Sequence, residues 1–577
     1  MRNAYSSKSS LPNRNHAHNN FCCESREMKL RSTIWQPDTF KPMHPPQADT
    51  LESATLLYQE REFFDAHCIA KNLLKSEPHN AFILNFAGAC CYATDNIKDA
   101  ERYWKTAIDI RPDWIESYNN LGTLHWKKKR QPDSAEKFFR AALSIDSHRK
   151  DVQDNLIECL IDFRKFSDAV ELCRFAIADR PTDSGLAHNL GMAPHQLDRL
   201  NEAEHFYKLA LSNNPHHHFA SSNLGIIFRE LRRYDEAEQA YRNAIAICPD
   251  EPLHHINLGA LLIETGRWKE GWACIEWRHR RISDEYIYNL ISTKIKRWHG
   301  EALQHKSLLV MPEQGFGDQI QMVRYIATLK KLGAVHITLA CSPELRTLFR
   351  SVSGADDVTT PTKAIKRRNY DFWISIFSLP YLISATPDVV PNTIPYIFAP
   401  QKSVNKWEKI IPRDAMQIGL VWKGSPLHES DTFRSLPSLS TLVPLWEIKG
   451  INYVSLQRGT ASEEIAHLHS KQPLRDIGKE IGDFGDTAAI VRQLDLVITV
   501  DTSVAHLCGA LGVPCWMLLS AIRTDWRWTG SSETSIWYPN GLKIYRQIQR
   551  GDWRAVVDNV ARDLELLKKS HDTSSDH

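Results

Sequence analysis

The sequence predicts an all-α solenoid of paired helices followed by two open parallel α/β units. Three observations carry that prediction. Small residues and prolines return with a period of 34 through the first half of the chain. From about residue 300, short apolar runs alternate with amphipathic segments, the mark of parallel layers. The stretch VITVDTSVAHLCGALG (497–512) changes abruptly from a β-branched run to a small-residue helical pattern at Asp501-Thr502-Ser503.

A chain of 577 residues is too long for a single core, so several domains are required. Lys and Arg number 71 against 69 Asp and Glu, and a formal charge of +2 leaves no electrostatic case for a nucleic-acid partner. No apolar run approaches the roughly 20 residues of a membrane helix, so no transmembrane segment is expected. Residues 1–46 are rich in Ser, Asn, His and Pro and contain no apolar signal core. They read as a disordered leader, with the cytoplasm as the expected compartment. The 12 cysteines are scattered without a C-x-x-C, which points to core fillers rather than a disulfide framework or a zinc site.

Gly88, Gly122, Gly191, Gly225 and Gly259 recur at 34 or 69, the latter being two periods plus one inserted residue. Pro78, Pro112, Pro181, Pro215 and Pro249 keep the same register. Ala100, Ala135, Ala169, Ala203 and Ala237 form a third column, and Trp104, Phe139, Tyr207 and Tyr241 a fourth. Small residues let two antiparallel helices approach closely, and each proline ends a pair. These columns resemble the tetratricopeptide repeat. Six units are expected from about 47 to 251 and a divergent seventh to about 285, where Gly271 in GRWKEGWACIEWRHR replaces the usual alanine and caps the stack. Asn120, Asn155, Asn189, Asn223 and Asn257 stand two residues before the glycines. On one face of a solenoid such amides would form a ladder for an extended chain; alternatively they bond to the neighbouring helix. The ladder is similar to that of the protein O-GlcNAc transferases, whose repeats hold the acceptor polypeptide.

Beyond a linker at 286–305, strands are expected in SLLVMPE (307–313), HITLAC and DFWISIF for a first half (306–400), and in QIGLVW, NYVSLQ, LVITV and PCWMLL for a second (401–577). The final WRAVVDNVARDLELLKKS reads as an amphipathic helix. Two such sheets place a ligand cleft at the carboxyl ends of their strands.

Three corners could carry chemistry there. At Asp501-Thr502-Ser503 a strand delivers a capped helix start whose free N–H groups suit a diphosphate, with His506 one turn on. In EQGFGDQ, Gly315 and Gly317 permit close approach and Asp318 opens a helix. In GLVWKGSP, Lys423, and shortly after it Arg434, could neutralise phosphate. Each corner taken singly also reads as an ordinary cap or a solvated cation.

Together GFGD, VWKGSP…R and D-T-x-x-x-H-x-x-x-A-L resemble the ADP-heptose heptosyltransferase family of bacterial glycosyltransferases, over about 306–565. The resemblance implies a GT-B fold of two Rossmann-like domains, no metal and no cofactor. It implies Asp318 as catalytic base, donor diphosphate and sugar at Asp501, Thr502 and Ser503, and a cation at Arg434 or Lys423. Gln457 and Thr487 are the expected readers of the nucleotide base. The fused repeats look instead like O-GlcNAc transferase architecture. The expected function is therefore an inverting, metal-independent transfer from a nucleotide sugar to a protein or glycan acceptor docked by the repeats. The alternative is a non-catalytic repeat scaffold with a nucleotide-sugar-sensing domain. The absence of any D-x-D agrees with a metal-free site.

Overall fold

A computed structural model describes residues 50–282, 291, 294–367, 369–391, 393–411, 414–428, 430–467, 474–528 and 532–575. The expected leader, residues 283–285 at the end of the expected solenoid, and residues 286–290 and 292–293 of the expected linker lie outside the described residues. The chain divides into two compact units with the boundary between Asp250 and Glu251.

The first unit is helical. It runs through α1 (Leu51–Gln59), α2 (Phe63–Ser76), α3 (Ala81–Ala93), α4 (Ile97–Ile110), α5 (Ile115–Thr123) and α6 (Pro132–Ile145). It continues with α7 (Lys150–Asp162), α8 (Phe166–Asp179), α9 (Ser184–Gln196), α10 (Leu200–Asn213), α11 (His218–Glu230) and α12 (Tyr234–Ile247). The glycine column meets the aromatic column. A Cβ on Gly88 would fall 2.4 Å from the Trp104 ring, on Gly122 2.6 Å from Phe139, on Gly191 2.6 Å from Tyr207 and on Gly225 2.7 Å from Tyr241. Four of the six helical pairs thus close on an aromatic side chain that only a missing methyl admits, and all four rings are buried. Burying such a ring contributes roughly 2–3 kcal/mol, which makes this contact a main fastener of those four hairpins.

The inserted residue has a visible home. Leu124–Lys128 forms a π-helical turn directly after α5. In the other repeats the hairpin closes with an N–H to C=O bond five residues back, as from Asn96 to Cys91, Lys165 to Leu160 and Arg233 to Phe228. Here the Gln131 N–H reaches six residues back to the His125 carbonyl at 2.9 Å. A wide turn takes up one extra residue without altering the helices on either side.

The second unit begins with the helical pair α13 (Pro252–Glu264) and α14 (Trp268–Ile275), which the sequence assigned to the solenoid. Trp268 stacks on Trp537 at 4.9 Å and Trp272 meets Trp526 edge-on at 5.4 Å, so this pair shares the core of the sheets. The first sheet has strands β1 (Lys296–Arg297), β2 (Ser307–Met311), β3 (His336–Ala340), β4 (Asp357–Thr359) and β5 (Phe372–Ser375), in the order β1-β5-β2-β3-β4. The expected linker therefore supplies an edge strand. The second has β6 (Met416–Val421), β7 (Ile451–Ser455), β8 (Leu474–Asp476), β9 (Leu496–Val500), β10 (Cys515–Leu519) and β11 (Leu542–Arg546), in the order β11-β10-β9-β6-β7-β8. Every pairing between these strands is parallel. Both orders reverse direction beside their first long strand, at β2/β5 and at β6/β9, and such a switch point opens a crevice outside the strand ends.

The helices that matter at those ends are α15 (Phe316–Met322), α16 (Phe484–Val491) and α17 (Ser503–Leu511); α18 (Trp553–Ser575) closes the chain against the second sheet. Strands β1, β4, β8 and β11 escaped the sequence reading. Three of them are only two or three residues long, too short for a period to register.

Candidate functional site

Residue 312 onward leaves β2 through Glu313 and Gln314, the latter at φ +65, and enters α15 at Gly315. The Gly315 N–H donates to Asp318 Oδ2 at 2.9 Å, fixing the carboxylate at the helix start. Its other oxygen pairs with Arg527 across more than two hundred residues of sequence. Arg527 is buried, grips Asp525 with Nη1 at 2.9 and 3.0 Å, and donates through Nε to Gln321. Burial would raise the Asp525 carboxyl, yet the adjoining Arg527 charge and hydrogen bonds hold it below the usual carboxylate range. Arg527 was not foreseen: D-W-R-W carries no spacing that marks a site, and only the folded chain brings it to Asp318.

Opposite stands the corner after β9. Asp501 keeps part of its surface open, but the protein packed round it pushes its pKa up to about 6, with Arg434 and Arg527 pulling downward and Asp525 upward. Thr502 is the N-cap of α17; its hydroxyl accepts from the Val504 N–H at 3.3 Å and lies 3.0 Å from Thr499 Oγ1. That hydroxyl is spent locally, which leaves Ser503 as the half-buried hydroxyl at the helix start.

His506 differs from the expectation of a ligand-facing ring. It is buried, its Nδ1 lies 3.0 Å from the Tyr538 hydroxyl, and a Cβ on Gly317 would sit 2.7 Å from its Cδ2. Burial, with the Arg527 and Arg324 charges, lowers its pKa to about 3, so the ring is neutral and serves as a spacer between α15 and α17. Gly317 is the matching gap.

The two candidate cations separate. The Lys423 ammonium is paired with Glu464, whose other oxygen takes the Leu439 N–H at 2.7 Å. Arg434 lies over the turn after β6, where a Cβ on Gly424 would meet its Nη2 at 2.6 Å. Among the described residues its buried Nε has no hydrogen-bond partner, the nearby Asp431 carboxylate standing 3.6 Å away. Arg434 thus has donor capacity to spare and its charge acts on Asp501, whereas Lys423 is committed.

The expected base readers are engaged within the protein instead. Gln457 is buried; its Oε1 accepts from the Trp422 and Lys423 N–H groups at 3.1 and 3.0 Å, and its Nε2 donates to the Lys423 and Arg458 carbonyls, both at 3.1 Å. All of the amide's bonding capacity braces the ends of β6 and β7. Thr487 is buried and donates to the Asp483 carbonyl within its own helix.

In the repeats, the asparagine column is mostly interior. Asn120 donates to Asn85 at 3.0 Å, Asn155 to Asn119 at 2.9 Å, and the Asn223 amide lies 3.0 Å from His188 Nε2, all between successive repeats. Asn189 is half-buried and Asn257, in the second unit, is buried. These amides stitch neighbouring helices, and a groove-facing ladder is not formed by Asn120, Asn155 or Asn223.

Among the described residues no cluster of three His, Cys, Asp or Glu is arranged to hold a metal, and no helix is long and apolar enough to cross a membrane.

Two family models described as tetratricopeptide repeat match residues 185–217 and 219–251. A third, described as Est1 DNA/RNA binding domain, matches residues 100–173 and runs against the expectation of no nucleic-acid partner. Within that match the basic run at 127–130 is drawn into ion pairs, Lys128 with Asp95, Lys129 with Glu101 and Arg130 with Asp162. FlbA of Caulobacter vibrioides is 27% identical over 324 residues, 51% of this chain and 52% of FlbA. The tetratricopeptide repeat-containing protein trd-1 of Caenorhabditis elegans is 24% identical over 116 residues, 20% of this chain and 15% of its own. The chain thus spans about half the length of FlbA, and less of trd-1. Among solved structures, YrrB, a TPR protein with an unusual peptide-binding site, is 19% identical, with a TM-score of 0.28 over 32% of this chain and 95% of its own. The N-terminal region is helical and tetratricopeptide-repeat-like, with repeats matched at residues 185–217 and 219–251, and it is followed by a region of parallel sheets.

Proposed function

We propose that the sheet-bearing unit is an inverting, metal-independent glycosyltransferase of GT-B type, using a nucleoside-diphosphate sugar and a protein or glycan acceptor. The observation that carries this reading is the convergence on Arg527 of Asp318, in the helix after β2, and of Asp501, in the corner after β9. A single displacement needs a base for the acceptor hydroxyl and a sink for the departing diphosphate. Asp318 is the base, a role worth typically 10²–10⁴-fold. Arg434, Ser503 and the N-terminus of α17 receive the diphosphate, stabilising charge as it develops. Without donor, Arg527 neutralises Asp318; a diphosphate offers that guanidinium a more highly charged partner and releases one carboxylate oxygen toward the acceptor.

The test is nucleotide release from ADP-, UDP-, GDP- and dTDP-sugars by the full chain. Release with one of them, lost in Asp318→Ala, is expected. A non-catalytic, nucleotide-sensing scaffold is the second reading, favoured by the closed Asp318–Arg527 pair. Binding of a nucleoside diphosphate without turnover would establish it, and undiminished activity of Asp318→Ala would remove that residue from the base role.

A further inference from the structure

The crevice at the second switch point is bordered by Arg434 and Asp501. The corresponding crevice of the first sheet, between the ends of β2 and β5, is filled by the protein itself. Arg278, in the turn after α14, reaches into it and is only 2% exposed. Its Nε and Nη2 donate to the two oxygens of Glu313 at 2.6 and 2.9 Å, a bidentate grip. Nη2 also donates to Ser378 Oγ at 2.7 Å, Nη1 to Glu276 at 2.5 Å and to the Ile275 carbonyl at 3.2 Å. The Ser375 hydroxyl, at the end of β5, completes the shell by donating to Glu313. A guanidinium thus occupies the position where a doubly wound sheet ordinarily receives its ligand.

We propose that Arg278 is a positioning residue, an internal ligand that fixes Glu313 and through it the Gln314–Asp318 corner. This rests on the role assigned above to Asp318. The route is short and covalent. Glu313 precedes Gln314, whose left-handed backbone has to be held in place, and Gln314 precedes Gly315, whose N–H grips Asp318. Were Glu313 to lose its anchor, a buried carboxylate would seek water and take the corner with it. The same helical pair touches the partner of Asp318 from the other side: Trp272 packs on Trp526, and Trp526 lies under the Arg527 guanidinium at 4.2 Å. The last helical pair is therefore part of the site's scaffold.

Arg278→Ala in the full chain tests this, with and without tens of millimolar guanidinium ion. Amide exchange at residues 314–319 is expected to quicken in the variant while α17 stays protected, and added guanidinium is expected to restore protection. With whichever sugar nucleotide turns over, kcat is expected to fall about 100-fold, the cost of roughly 1 Å of misplacement, with donor KM held within about twofold. Should Arg278→Ala fail to fold, the neutral pair Arg278→Met with Glu313→Gln replaces it, since it leaves no charge stranded. Unchanged exchange at 314–319 in a folded variant, or no response of folded Arg278→Ala to guanidinium, overturns the proposal. If the unaltered protein turns over no donor, the transferase reading has failed on its own account and the exchange measurement alone decides the positioning role.

Discussion

Replacing Gly317 with alanine inserts one methyl at the seam between α15 and α17. Its Cβ would lie 2.7 Å from His506 Cδ2 and 3.3 Å from Nε2. Ordinary carbon contacts are about 3.5–4.0 Å, so the methyl is short of room by roughly 1 Å. The ring has nowhere to retreat. Its Nδ1 is bonded to Tyr538, Trp528 lies 5.2 Å from it, and Tyr538 is itself closed in by Gly509, where a Cβ would be 2.3 Å from the ring. The displacement therefore falls on α15 and on Asp318. With roughly 1 Å of room missing, overpacking falls in the upper part of its usual range, about 2–3 kcal/mol, and alanine recovers at most about 1 kcal/mol of helix propensity, leaving a net loss of about 1–2 kcal/mol. Urea unfolding followed by tryptophan fluorescence measures that loss; under the transferase function proposed above, nucleotide release measures the displaced carboxylate, with a fall of about 100-fold expected. An unchanged or raised urea midpoint would refute the reasoning, because it would mean the seam can open freely.

Arg527→Met leaves two carboxylates without their common cation and is expected to cost about 3–5 kcal/mol, whereas Asp318→Asn, which leaves Arg527 bound to Asp525, costs about 1–2 kcal/mol; paired urea curves compare them. Asp501 has its folded pKa raised to about 6, so the stability tied to its neutral form is full below the unfolded value near 3.8 and is lost as pH rises toward 6. Asp501→Asn is accordingly expected to gain about 1–2 kcal/mol above pH 6 and little at pH 4, read from thermal melts across that range. His506 runs the other way: its folded pKa is lowered to about 3, so its contribution is full above about 6.5 and declines as pH falls toward 3, and His506→Gln is expected to flatten that limb of the stability profile. In the repeat unit, Gly88→Ala sets a methyl 2.4 Å from Trp104 Nε1, which donates to the Asn85 carbonyl at 3.0 Å, and is expected to lower stability by about 2–3 kcal/mol in circular dichroism melts.

The repeats were legible because one period writes the same contact many times: Gly88 against Trp104 repeats as Gly122 against Phe139, and a column is visible where a single pair would not be. The long central strands were legible from their apolar runs, and the corners at Asp318 and Asp501 from abrupt changes of pattern. Sequence could not show which side chains were already engaged. Lys423 and Arg434 look alike as cations near a turn, and only Glu464 on one and an empty Nε on the other tell them apart. Gln457 offered an amide after a strand, but four backbone groups consume it. Arg527 and Arg278 lie far in sequence from the carboxylates they hold, Asp318 and Glu313, so no local spacing could point to them. The asparagine column was seen as a column, but which way its amides face depends on how the helices cross.

The wide turn at Leu124–Lys128 bears on how such arrays change length. One residue added inside a regular helix would rotate all that follows by about 100°, turning Ala135 and Phe139 away from Gly122. Taken into a loosened loop of backbone instead, the addition dies out within a few residues and the downstream copies keep their phase. A stack able to absorb single-residue indels in this manner can drift in length one codon at a time without any copy losing its fit to the next.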